Sequence, residues 1–184
     1  MKKVVVASIF AAIALFVWGF IYWVPLALAL NVYRTAPDEV ALAKALEDNL
    51  GNNDGFYFLP SDMSDEATLK ARHAAGPIVT IAYISGGRPM LDPKTFVFGF
   101  LHNLVSSLLM AMLLVWLAPR LRSYQERVRL VAMAGFACAV FGNLGRPLWL
   151  VQPWSYHVFQ SVYEITSWLL VGLVLAFFIN GSEK

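Results

Sequence analysis

Charge is scarce in this chain. Asp, Glu, Lys and Arg make up 14% of 184 residues, against 59% hydrophobic, and the mean hydropathy is +0.61. A soluble domain carries about a quarter charged residues, so a water-soluble single-core protein is excluded. The net charge is +2, with no basic block or stripe, which excludes a nucleic-acid partner. Cysteine is nearly absent. Cys138 stands alone in an apolar run, so there is no internal disulfide and no CxxC pair. Thiol oxidoreductases that need paired cysteines are excluded with them, and Cys138 is expected to be a small packing residue.

What is present is long apolar sequence. Crossing a bilayer takes about 20 residues in a helix. The first stretch, residues 4–30, is preceded by Lys2 and Lys3. It ends in Ala27, Leu28 and Ala29, which resemble a signal-peptidase site. Its apolar run exceeds a signal core, so a retained helix is expected. The predicted fold class is an all-α membrane bundle of four helices with a small αβαβ extracytoplasmic cap. The predicted order is helix 1–30, cap 31–95, helix 96–118, basic loop 119–129, helix 130–150, outer loop 151–155, helix 156–180 and tail 181–184. The loop holds Arg120, Arg122, Arg127 and Arg129. With Lys2 and Lys3 it belongs on the cytoplasmic side by the positive-inside rule, where it meets anionic lipid. Both termini, Lys184 included, are then cytoplasmic. Residues 31–95 are outside, with nine acidic residues against Arg34, Lys44, Lys70, Arg72, Arg88 and Lys94.

The outer segment has the pattern of folded chain. In "TAPDEVALAKALEDNLG", Pro37 at a first-turn position precedes Asp38 and Glu39, which suit a helix start. Val40, Ala43, Leu46 and Leu50 form one face, and Gly51 is the expected stop. "GFYFLP" predicts a strand, "SDEATLKARHAAG" a helix capped by Ser64, and "PIVTIAYISGG" a second strand. Phe56, Phe58, Ile81 and Tyr83 are expected to seal this cap onto the bundle. The run "GFYFLP", then "GPIVTIAYISGGRPM" and an apolar helix, resembles a pattern in a family of small bacterial inner-membrane proteins. The resemblance implies an N-terminal span, an outer segment, three further spans and an inner-membrane setting. It implies no activity, cofactor or site residue.

Polar residues interrupt the spans. In the last helix His157, Gln160, Ser161, Glu164, Ser167 and Trp168 follow one stripe at i, i+3, i+4 and i+7. Such a stripe faces the bundle interior or a partner, because lipid penalises it. The second helix offers His102 with Ser106, and Asn103 with Ser107. The third offers Asn143 and Arg146. His102 falls about six residues and Glu164 about eight inside their outer helix ends, about 9–12 Å at 1.5 Å per residue. One buried layer, in the outer leaflet beneath the cap, is expected from His102, Asn103, Asn143, Arg146, Gln160, Ser161 and Glu164. Small residues on the third helix, Gly135, Cys138, Ala139, Gly142 and Gly145, suit close helix contact. Trp149, Trp154, Tyr156, Tyr22 and Trp23 are expected in interface belts.

The layer has four readings. Structurally, Arg146 pairs with Glu164. As an interface, the stripe meets another membrane subunit or a second copy of the chain. As a cofactor site, His102 and His157 ligate a b-type haem, both His with Glu164 hold a metal, or the layer takes a quinone. As a path, Glu164 serves a small oligomeric transporter. No catalytic residue is assigned. Ser106 and Ser107 lack a Gly-x-Ser-x-Gly setting, "GGRPM" is a turn rather than a phosphate loop, "HNLVSS" has no second ligand at i+4, and His73 is expected to be solvated. The leading expectation is a non-catalytic accessory subunit of a larger inner-membrane assembly.

Overall fold

The structure is a computed structural model that describes residues 2–61 and 64–179. The expected end of the last span at 180 and the tail 181–184, with Lys184, lie outside the described residues. Among the described residues four helices are long and apolar enough to cross a membrane. They are α1 (Lys2–Ala29), α4 (Pro93–Leu117), α5 (Tyr124–Gly142) extended by α6 (Gly145–Trp149), and α7 (Trp154–Phe178). They form one compact unit, residues 1–33 with 91–184. Residues 34–90 form another.

In the first unit α1 packs on both α4 and α7, α5 packs on α7, and α4 barely touches α5 or α7. The neighbour order is therefore α4, α1, α7, α5. Small side chains make this possible. Ala7, Ala11 and Leu15 of α1 meet Ala111 and Leu114 of α4, Val131 of α5, and Val171 and Leu175 of α7 in one buried cluster. The bulky residues Phe10, Val17 and Phe20 point outward. That inversion is what lipid-facing helices require, since lipid tails offer no penalty to exposed apolar surface.

On α5 the predicted small-residue stripe divides. Gly135 and Ala139 are buried. A Cβ on Gly135 would lie 2.2 Å from Trp168 Cβ, and one on Gly172 would lie 3.2 Å from the Val128 carbonyl oxygen. A Cβ on Gly142 would meet nothing within 4 Å, and Cys138 is exposed. Cys138 is thus not a packing residue, because it lies on the outward side of α5.

Prolines shape the helix ends. Pro25 has no amide hydrogen and its ring crowds the carbonyl four residues back. The chain widens there into a π-helical turn, Tyr22–Leu26. Tyr22 is 3% exposed and donates its hydroxyl to the Phe159 carbonyl at 2.8 Å. Its ring also packs at a tilt against Phe159 and Tyr163, with ring centroids 4.3 and 5.2 Å away. Tyr22 is therefore an α1–α7 packing residue and not a belt residue. Trp149 and Trp154 are exposed.

Helix starts fall earlier than hydropathy suggests, because polar caps begin them. Asp92 accepts from the Lys94 amide, and Ser123 with Glu126 forms a capping box. Little of the predicted 119–129 loop lies outside helical structure. Within it Arg127 is buried and donates to the Leu121 carbonyl at 3.3 Å, so it is unavailable to lipid.

The second unit has the predicted order: α2 (Glu39–Leu50), β1 (Gly55–Leu59), α3 (Glu66–Ala75), β2 (Val79–Tyr83). Asp38 caps the first helix, so Pro37, expected in its first turn, precedes it, and Asp65 caps the second, one residue after Ser64. Gly51 and Gly76 end the helices at positive φ, 56° and 68°, a region costly for other residues. The strands are antiparallel, with Phe56 opposite Ala82 and Tyr57 opposite Ile81. Alternation then puts Phe56 and Phe58 on one face and Ile81 and Tyr83 on the other. Those four residues cannot form one sealing surface. A clasp closes one end of the strand pair: Asp54 accepts from the Ser85 amide at 2.8 Å and hydroxyl at 2.7 Å. These hydrogen bonds hold the Asp54 carboxyl below the usual aspartate range.

Two outcomes follow from this packing. Gly135→Ala forces α5 from α7 and costs about 1–3 kcal/mol, whereas Gly142→Ala is near neutral; unfolding titrations of the two variants in mixed micelles check the contrast. The Asp54 clasp contributes fully above the ordinary aspartate pKa and is lost as pH falls through the lowered one. An NMR titration of the Asp54 carboxyl carbon therefore shows a depressed midpoint that moves only part of the way back in Ser85→Ala, which removes the hydroxyl donor and keeps the stronger contribution of the Ser85 amide.

Candidate functional site

The four long apolar helices converge on one polar cavity of about 230 Å³. From α4 come His102, Asn103 and Ser106, and from the end of α5 comes Asn143. From α7 come Gln160, Tyr163, Glu164, Ser167 and Trp168, with Leu15 of α1 as the apolar wall. His102 lies nine residues into α4 and Glu164 ten into α7, about 13–15 Å along their axes. The cavity is thus near the middle of the spans. It is open at His102, which is exposed, while Asn143 is 7% exposed.

Asn143 is placed by the break between α5 and α6. Pro147 cannot donate to the carbonyl of residue 143 and crowds it, so the helix ends at Gly142. The Leu144 amide reaches back to the Ala139 carbonyl instead, at 3.3 Å. Asn143 then turns inward and donates its Nδ2 to Glu164 Oε2 at 2.6 Å. The carboxyl that lipid would penalise is met by an amide donor.

Five of the seven predicted layer residues line this cavity: His102, Asn103, Asn143, Gln160 and Glu164. Arg146 does not. It is exposed on α6 and forms no ion pair with Glu164, whose partner is Asn143. The turn at 143–144 sends residue 143 inward and residue 146 outward, which periodicity along one unbroken helix does not anticipate. Ser161 is buried and spends its hydroxyl on the His157 carbonyl at 2.7 Å.

His157 is also buried, with Nδ1 unpartnered, and it is absent from the cavity lining that holds His102. The lining of this cavity therefore offers His102 alone and no second histidine as an axial ligand for a haem. Among the described residues no group of three His, Cys, Asp or Glu side chains converges.

Leu15 and Tyr163 were not anticipated in the lining. Tyr163 had a signal, since it stands three residues after Gln160. Leu15 had none, because its place depends on how α1 crosses α7. A second polar link was also missed: Trp18 Nε1 donates to Thr166 Oγ1 at 3.1 Å, tying α1 to α7. The cavity keeps unused capacity. Ser167 is 7% exposed, lines it, and its hydroxyl has no partner. Buried polar groups in folded proteins are nearly always paired. The site therefore suits an incoming polar group with hydrogen-bond donors and acceptors.

No family model, curated protein or solved structure matches this chain. The resemblance to small inner-membrane proteins therefore gains nothing from comparison.

If Asn143 neutralises the penalty on Glu164, Asn143→Ala costs about 1.5–3 kcal/mol, the range for a hydrogen bond to a charged group. In a Glu164→Leu background the same change costs much less. A double-mutant cycle measured by unfolding in micelles returns that coupling; additive losses would deny it.

Proposed function

We propose that the chain is a non-catalytic accessory subunit of a larger assembly in a bacterial inner membrane, and that the polar cavity receives a polar side chain from a neighbouring transmembrane helix. The observation that carries this reading is the open side of the cavity. Because α4 leans on α1 and barely reaches α5 or α7, His102 is left exposed and Asn103, Ser106, Gln160 and Glu164 only partly covered at mid-span. Polar groups at that depth persist only when covered by protein or water. A further helix seated beside His102 would cover them and would engage Ser167 and Glu164. Hydrogen bonds across helices are a recurring source of association in membranes.

The orientation belongs to the same proposal. Lys2 and Lys3 lie at the start of α1, and Arg120 and Arg122 at the link between α4 and α5. The positive-inside rule places these in the cytoplasm and residues 31–95 outside.

The test replaces His102 by a photo-crosslinking amino acid in the native membrane. The expected product is one adduct of defined mass with another membrane protein, strongly reduced by Glu164→Leu. An adduct with a second copy of this chain would make the assembly homo-oligomeric. Lipid adducts alone, or a Soret band in the purified protein, would overturn the reading.

A further inference from the structure

The break at Pro147 has a second consequence on the opposite side of α5. Between α5 and α6 lies a concave surface of about 550 Å³. Its walls are apolar, with Val140, Phe141, Leu144, Leu148 and Trp149. Phe141 and Trp149 are 91% and 85% exposed. Arg146 is the one charged residue of the lining. Among the described residues no hydrogen bond or ion pair engages its guanidinium. The segment from residue 140 to 153 contains no Asp or Glu to balance it.

Arg146 stands three residues before Trp149, about 4.5 Å from the helix end at 1.5 Å per residue. Trp149 and Trp154, at the end of one span and the start of the next, are the residues expected in an interface belt. An unpaired guanidinium at that level, above an apolar groove that runs toward the middle of the span, has the amphipathic order of a phospholipid. We propose that this elbow is a phospholipid site. The Arg146 fork donates to the phosphodiester oxygens, the bidentate geometry at which guanidinium excels. One acyl chain lies along Phe141, Leu144 and Val140. The groove holds many times the roughly 30 Å³ share of a water molecule, and its walls offer water few hydrogen bonds. A lipid chain is the occupant whose chemistry fits both ends. The proposal is independent of the polar cavity, which Arg146 does not line.

The test is native mass spectrometry of the full chain in mild detergent, titrated with phosphatidylglycerol. The expected result is one lipid bound with preference, and a fall of about tenfold in its retention for Arg146→Gln, with partial recovery in Arg146→Lys. Gly142→Leu provides a second variant. It keeps Arg146 and fills the groove, since a side chain at Gly142 enters open space; it is expected to lose the lipid as well. Helicity by circular dichroism stays unchanged in both. Retention in Arg146→Gln equal to the parent overturns the proposal. So does full retention in Gly142→Leu, or displacement of the lipid by millimolar inorganic phosphate, which would make the site one for a free anion.

Discussion

The contact between Gly135 and Trp168 sets the register of the bundle. With no side chain at 135, α5 comes so close to α7 that the indole stem occupies the space a methyl would need. One turn away, in antiparallel sense, Val131 fills the place opposite Gly172. That register brings Asn143, two turns further along α5, opposite Gln160, and from there its side chain reaches Glu164 one turn away. In the absence of a hydrophobic driving force between helices, shape fit and hydrogen bonds must hold them together. The glycines supply the fit, and the Asn143–Glu164 bond sits at its far end.

Two prolines then turn regular helices into irregular and more informative ones. Each removes a backbone donor and crowds a carbonyl, and in each case the chain responds locally. At Pro25 it widens to a π turn and Tyr22 swings between α1 and α7. At Pro147 it breaks, and neighbouring polar residues part company. Asn143 faces the interior, whereas Arg146 faces outward into an apolar elbow. A single helical wheel treats residues 143 and 146 as neighbours one turn apart; the broken helix separates them.

Polar satisfaction explains the rest of the stripe on α7. Ser161 and Thr166 turn their hydroxyls onto carbonyls of their own helix, at 2.7 Å each. This is the usual refuge of a hydroxyl within an apolar helix. Thr166 also accepts from Trp18. Gln160, Glu164 and Ser167 instead line the cavity, where α4 stands away from α5 and α7. The loosest packing in the bundle and its densest polar chemistry coincide.

Much of the architecture was legible in composition and periodicity. Apolar runs of span length mark four helices because a bilayer imposes one length. Turn residues and β-branched runs mark two short strands and two short helices because those signals are local. The stripe of Gln160 and Glu164, and its counterpart His102 with Asn103, were legible for the same reason: helical spacing is a property of the chain alone. Partners were not legible. Which donor meets Glu164, whether Arg146 points in or out, and whether Phe56 and Tyr83 share a sheet face depend on helix crossings, a break at Pro147 and strand register. Those are set by distances between residues far apart in sequence. Periodicity tells which side of an element a residue occupies, and only the folded chain brings a particular neighbour to that side.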